Sequence, residues 1–171
     1  KKSAPKALYD LKGIILDIGA GDRWVLQFLN NAVEYVAVDF PTTGKELYKS
    51  TPDVFADGMQ LPFSNACADA VLCFEVAEHV PEPYRLISEI ARVLRSGGRA
   101  FISMPFIYPI HDAPYDYQRY TVHGLQRLIE QSGLKLVSIK NKSNTIHIAA
   151  VMCCLAIAEK KKKINTLWSI F

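Results

Sequence analysis

Short, almost uninterrupted apolar runs alternate with segments of helical spacing through most of this chain, and that alternation limits the fold more than any other feature. Ile14-Ile15-Leu16-Asp17-Ile18 is the first run, ended by Gly19, after which Asp22 stands where it can cap a helix through Trp24, Val25, Phe28 and Leu29. Tyr35–Asp39, Val54–Ala56 and Ala70–Phe74 follow as strands two, three and four. Strands that are apolar at nearly every position are covered on both faces, as in a parallel sheet between helices. Leu86, Ile87, Ile90, Val93 and Leu94 repeat at helical spacing, with Pro83 near the start and Gly97-Gly98 closing the end. Arg99–Met104 reads as the fifth strand, stopped by Pro105. Leu125, Leu128 and Ile129 mark a further helix ended by Gly133, and Leu134–Ile139 reads as a sixth strand.

The expectation is an α/β fold, a doubly wound, mostly parallel Rossmann-like sheet of six or seven strands with helices on both faces. A chain of 171 residues, 50% of them apolar, suits one domain over 1–171 and needs neither disulfides nor a structural metal. The core spans about 11–140, and 141–171 is the least legible part. Lys160 to Lys163 supply four of the charges behind the net +3, so the remainder sums to −1 and bulk charge gives nucleic acid binding no support. Cys67, Cys73, Cys153 and Cys154 form no C-x-x-C pair, and apolar runs around three of them suit unreactive thiols in a reducing cytoplasm. No apolar stretch of signal-peptide length follows Lys1–Lys6.

Ligands of such sheets bind at the carboxyl ends of the strands, beside the switch in strand order. Asp17, Asp39 and Asp57 each close or follow a strand there. Gly19 and Gly21 let the backbone turn sharply and approach a ligand, although a glycine turn that only joins strand to helix looks the same. A dinucleotide fingerprint would place a third glycine at 24, where this chain has Trp24, so NAD(P) is disfavoured. Asp39, 18 residues beyond Gly21, is placed to accept hydrogen bonds from both hydroxyls of a ribose, or else is a solvated turn residue before Phe40-Pro41. Asp57-Gly58-Met59 can face an adenine edge with Met59 and Phe40 as apolar walls; alone it is a turn.

Leu16-Asp17-Ile18-Gly19-Ala20-Gly21 followed by Val38-Asp39 resembles the first two motifs of the class I S-adenosylmethionine-dependent methyltransferases. Asp57 through Phe63, Glu75-Val76-Ala77-Glu78-His79-Val80, and Arg92-Val93-Leu94-Arg95-Ser96-Gly97-Gly98 are similar to the small-molecule branch that includes the ubiquinone and menaquinone methyltransferases. The resemblance covers about 11–140. It implies S-adenosyl-L-methionine as cofactor, with Asp17, Gly19 and Gly21 at its methionine end, Asp39 on the ribose, Asp57, Gly58 and Met59 at the adenine, and Glu75 near the sulfonium. It also implies one or two helices before the first strand that help close the acceptor site, whereas this chain starts almost at that strand.

The stretch from Tyr108 to Tyr120 concentrates aromatic, acidic and imidazole groups after the fifth strand and should overhang the methyl donor. His111 is the candidate general base, Tyr115 or Tyr117 ring walls, and Arg119 an anchor for an acidic acceptor; equally, the aromatics pack the loop and Asp116 pairs with Arg119. His79 ranks below His111. The reading is in-line methyl transfer to a small-molecule, sugar- or lipid-linked acceptor, without a metal. The alternatives are a non-catalytic S-adenosylmethionine or nucleoside-binding module and, further off, an NAD(P)-dependent oxidoreductase. Ile146–Ala158 is 13 residues, short of the roughly 20 that span a bilayer. It reads as a helix or as a seventh, antiparallel strand, and 146–163 with its lysines is open to peripheral membrane contact. Trp168–Phe171 reads as a docked terminus or a cut inside a longer chain.

Overall fold

The computed structural model describes residues 6–141 and 145–168, so the chain ends at 1–5 and 169–171 and the segment 142–144 lie outside it, as do the side chains of the lysine run. Five parallel strands form one sheet in the order β3-β2-β1-β4-β5: β1 (Gly13–Ile18), β2 (Val33–Asp39), β3 (Val54–Phe55), β4 (Ala68–Phe74) and β5 (Leu94–Ser103). Residues on the strands alternate between two cores because successive side chains point to opposite faces. Leu16, Ile18, Val71 and Cys73 enter the larger cluster, with Leu86, Ile87, Ile90 and Val93 of α2 (Pro83–Val93) and Leu128 of α3 (Val122–Gln131). Ile15, Ala70 and Leu72 enter the smaller one, with Leu8, Leu11 and Val25. That two-sided burial is why the strands are apolar throughout.

The expected helix through Trp24 to Leu29 is instead a 3-10 helix over Trp24–Phe28. Arg23 before it takes a left-handed backbone (φ 54°) and Leu29 after it is extended, so only five residues are available to the turn. The Trp24 ring packs edge-on against Phe28 at 5.8 Å and tilted against Phe74 at 5.7 Å within the smaller core. α2 ends at Val93 and runs straight into β5, so Gly97-Gly98 does not cap it. The two glycines lie in an irregularity of β5, where pairing passes from Ala68↔Leu94 to Ala70↔Arg99 and Gly97 takes φ 80°.

Among the described residues the sheet has five strands rather than six or seven. Leu134–Ile139 has strand-like composition but forms no ladder, and Val137 is 92% exposed; β-propensity counts only where a segment pairs and half-buries its pleat. Ile146–Ala158 lies within α4 (Thr145–Trp168), not in a seventh strand. The described chain divides into two compact units, Lys1–Phe106 with Ile110–Leu136, and Ile107–Pro109 with Val137–Phe171. The first holds the sheet. The second holds α4, where Ile146, Val151, Met152 and Ile157 are exposed. No helix among the described residues is long and apolar enough to cross a membrane.

Candidate active site

β1 is followed in sequence by β2 on one side and flanked by β4 on the other, so strand order reverses between β1 and β4 and a crevice opens at their carboxyl ends. Gly19 sits at this point with φ 70°, and a Cβ there would lie 2.3 Å from Val76 Cγ2 on the turn after β4. Glycine is needed for both the backbone angle and the close approach. Gly21 (φ 51°) faces open space. The loop is tied to β2: Gly19 and Ala20 donate to the Val38 carbonyl at 2.9 and 3.1 Å, and Gly21 N donates to Asp39 Oδ2 at 3.1 Å. Arg23 extends the tie by pairing with Asp53 at 3.0 Å. Asp53 also accepts from Ala37 N, and these bonds hold its carboxyl below the usual range.

Asp39 is buried. Its Oδ1 accepts from Phe40 N at 2.8 Å, and a Cβ on Gly44 of α1 (Pro41–Glu46) would come within 3.1 Å of its Cγ. Each carboxylate oxygen therefore carries one backbone bond and keeps a further lone pair. Asp17 is 3% exposed and accepts from Tyr35 OH at 2.6 Å. Burial pushes Asp17 up to about 7, against the opposing pull of the Tyr35 hydrogen bond, and the Tyr35 phenol is itself pushed above its ordinary value, by burial first and by Asp17 second. Asp57 Oδ1 accepts from Met59 N at 2.8 Å and closes its own turn, while a Cβ on Gly58 would meet Leu86 Cδ1 at 2.9 Å. Glycine at 58 thus lets α2 approach. Glu75 follows β4 directly with φ 58°, a left-handed conformation that costs a non-glycine residue about 1 to 3 kcal/mol and clusters at functional sites. Ser103 fixes it, its Oγ donating to Glu75 Oε1 at 2.6 Å and its carbonyl accepting from Glu75 N.

Loop 111–118 is fastened to the turn after β4. Gln118 Nε2 donates to the Ala77 and Val80 carbonyls, Tyr117 N to the Glu78 carbonyl, and His79 Nδ1 to the Tyr115 carbonyl at 2.7 Å. His111 lies over His79, the rings edge to face with centroids 4.8 Å apart. Arg119 grips the buried Asp116 through both guanidinium nitrogens, so the ion pair, and not an anchor for an acidic acceptor, is what the structure contains. That pairing holds Asp116 far below the usual carboxylate range. Sequence reasoning passed over Glu78, which is fully buried and which burial pushes up to about 7. The available signal was an acid four residues past the apolar run that ends at Phe74, flanked by Ala77 and followed by His79.

Residues 16–102 match the family described as methyltransferase domain, half of the chain and the carboxyl ends of β1 to β4. The chain belongs to that family. An uncharacterised methyltransferase of Mycobacterium avium is 39% identical over 98 residues, covering 52% of this chain and 38% of the relative. The chain thus spans about two fifths of that curated relative. A protein of Bacillus halodurans described as a methyltransferase shares the fold, with a TM-score of 0.63 at 22% identity over 77% of this chain and 68% of that one. Haemonchus contortus phosphoethanolamine N-methyltransferase 2, solved in complex with S-adenosyl-L-methionine, superposes with a TM-score of 0.63 at 17% identity, covering 94% and 42%. The architecture is that of the class I methyltransferases, whose cofactor is S-adenosyl-L-methionine.

The residues present fit that cofactor. Asp17 is a buried carboxylate with no cationic partner in hydrogen-bonding contact among the described residues, which suits a site that a cationic ligand completes. Asp39 keeps two lone pairs at diol spacing beside the open backbone of Gly21.

Proposed function

We propose that this chain transfers a methyl group from S-adenosyl-L-methionine to a small-molecule, sugar- or lipid-linked acceptor lying beneath loop 111–118. The observation that carries the reading is the knot of Gly19, Gly21 and Asp39 at the strand-order switch, with Asp17 buried on one side and the strained Glu75 on the other. When bound, the cofactor supplies a methyl carbon already activated on sulfur. The protein's task is therefore positional, and orientation alone lowers such barriers by up to about 7 to 11 kcal/mol. Asp39 accepts the ribose hydroxyls, with Phe40, Asp57, Gly58 and Met59 flanking the base. Asp17 with Gly19 and Gly21 meets the methionine end, and Glu75 stands beside the reacting sulfur. His111 and Tyr115 meet the acceptor.

A cytoplasmic setting agrees with the four free cysteines. Nucleic acid has no place in this reading. The exposed apolar side chains of α4, ahead of the lysines at 160–163, support contact with an anionic membrane and so favour a lipid-linked acceptor. Incubation with S-adenosyl-L-methionine and panels of phenolic, amine, sugar and lipid-linked acceptors tests the proposal by release of S-adenosylhomocysteine. Tight cofactor binding with no product from any panel would instead favour a non-catalytic binding module, and preferential binding of NADH would defeat both.

A further inference from the structure

Methyl transfer as described leaves Glu78 unused, although its burial is costly. It lies in the 3-10 turn Ala77–His79, is 0% exposed, and neither carboxylate oxygen has a hydrogen-bond partner among the described residues. A carboxyl group withdrawn from water is unfavourable there unless a cation or proton donor faces it. Arg119 acts on it from outside hydrogen-bonding reach, and an imidazole faces it. His79 Nε2 lies 3.7 Å from Glu78 Oε1 and 4.0 Å from Asp112 Oδ2, both too long for hydrogen bonds. His79 Nδ1 is 2.7 Å from the Tyr115 carbonyl, which can only accept, so Nδ1 carries the hydrogen and Nε2 of the neutral ring turns a lone pair toward the two carboxylates.

One ligand atom each from Glu78, His79 and His111 falls within a 4.8 Å cluster. Tetrahedral bonds of about 2.1 Å place ligand atoms about 3.4 Å apart, so small side-chain rotations close the set around one ion. The outer groups are also in place. Asp116 Oδ2 lies 3.3 Å and Arg119 Nη2 3.4 Å from His111 Nδ1, and the Tyr115 carbonyl orients His79 as such outer partners orient metal-bound histidines. Asp112, held by a hydrogen bond from Tyr48, stands at the rim.

We propose that Glu78, His79 and His111 bind a divalent transition-metal ion such as Zn2+, with Asp112 beside the open positions. Two histidines and one carboxylate suit such an ion better than Mg2+ or Ca2+, which prefer oxygen alone. A ligated imidazole has no lone pair left to take a proton, so this assignment replaces the general-base role expected for His111 and sets aside the expectation of no metal.

The test titrates ZnCl2 alone into the tag-free full chain by calorimetry, in a Cys153→Ser/Cys154→Ser background that removes the exposed thiols. The expected result is one ion per chain, with affinity falling about tenfold or more in each of Glu78→Gln, His79→Ala and His111→Ala, and unchanged in the exposed control His123→Ala. Glu78→Gln keeps the buried volume, and circular dichroism checks folding in all four. No stoichiometric binding to the parent chain, or wild-type affinity retained by the three site variants, overturns the proposal. Cofactor and acceptor are both absent from the titration, so its failure leaves the methyl-transfer reading standing.

Discussion

Replacing Asp17 with Asn removes a charge from the best-buried carboxylate of the cofactor site and should stabilise the unliganded protein in a pH-dependent way. Asp17 ionises near 3.8 in the unfolded chain and near 7 in the folded one, because burial outweighs the Tyr35 hydrogen bond. Between those values the folded chain holds a proton that the unfolded chain has released, so stability falls as pH rises from about 4 to about 7. A roughly thousandfold weakening of the acid corresponds to about 4 kcal/mol, of which about 2 to 3 kcal/mol accrues between pH 5 and pH 8. The amide introduced by Asp17→Asn titrates nothing, and its oxygen can still accept from Tyr35. Urea denaturation of the two proteins at pH 5, 6, 7 and 8 should therefore show the variant's advantage widening by that amount. A gap that stays constant to within about 0.5 kcal/mol refutes the argument, since it would mean that the carboxylate is charged, or solvated, at every pH tested. The same linkage has a second face: a cation bound beside Asp17 favours its ionised form, so S-adenosyl-L-methionine affinity should rise with pH over this interval in the wild type and stay level in Asp17→Asn.

Asp39→Ala removes the acceptor of both the Gly21 and Phe40 amides and should weaken S-adenosylhomocysteine binding by about 1 to 3 kcal/mol in calorimetry; unchanged affinity would remove its ribose assignment. Arg119→Ala leaves Asp116 with only the His111 amide and imidazole as partners, and a loss of about 1.5 to 3 kcal/mol in chemical denaturation is expected, where less than about 0.5 would show the pair to be solvated. Gly19→Ala suffers both the left-handed backbone and a methyl 2.3 Å from Val76 Cγ2. Pairing it with Val76→Ala should restore part of the stability but leave about 1 kcal/mol or more of backbone strain, and complete rescue would contradict that split.

Local chemistry made the parallel sheet legible. β1, β2 and β4 are apolar on both faces because both faces are covered, and α2 shows its buried stripe at helical spacing; neither signal needs the rest of the molecule to be seen. The cofactor edge was legible for the same reason, since a carboxylate or glycine at a strand end is placed by the strand before it. Elements defined by a partner were not. Leu134–Ile139 has the composition of a strand but no ladder, and Trp24–Phe28 lacks the length of an α-helix because the backbone leaves the helical region on either side. Loop contacts were hidden too: the grip of Arg119 on Asp116 decides that this arginine supports the loop. The placement of Glu78 and His79 against His111, 32 residues further on, depends on Gln118, Tyr117 and Tyr115 fastening that loop to the turn after β4. Periodicity and composition act between neighbours in the chain, so they determine strands, helices and the groups at their ends. A convergence of lone pairs from two distant loops is a property of distances, and only the folded chain has those.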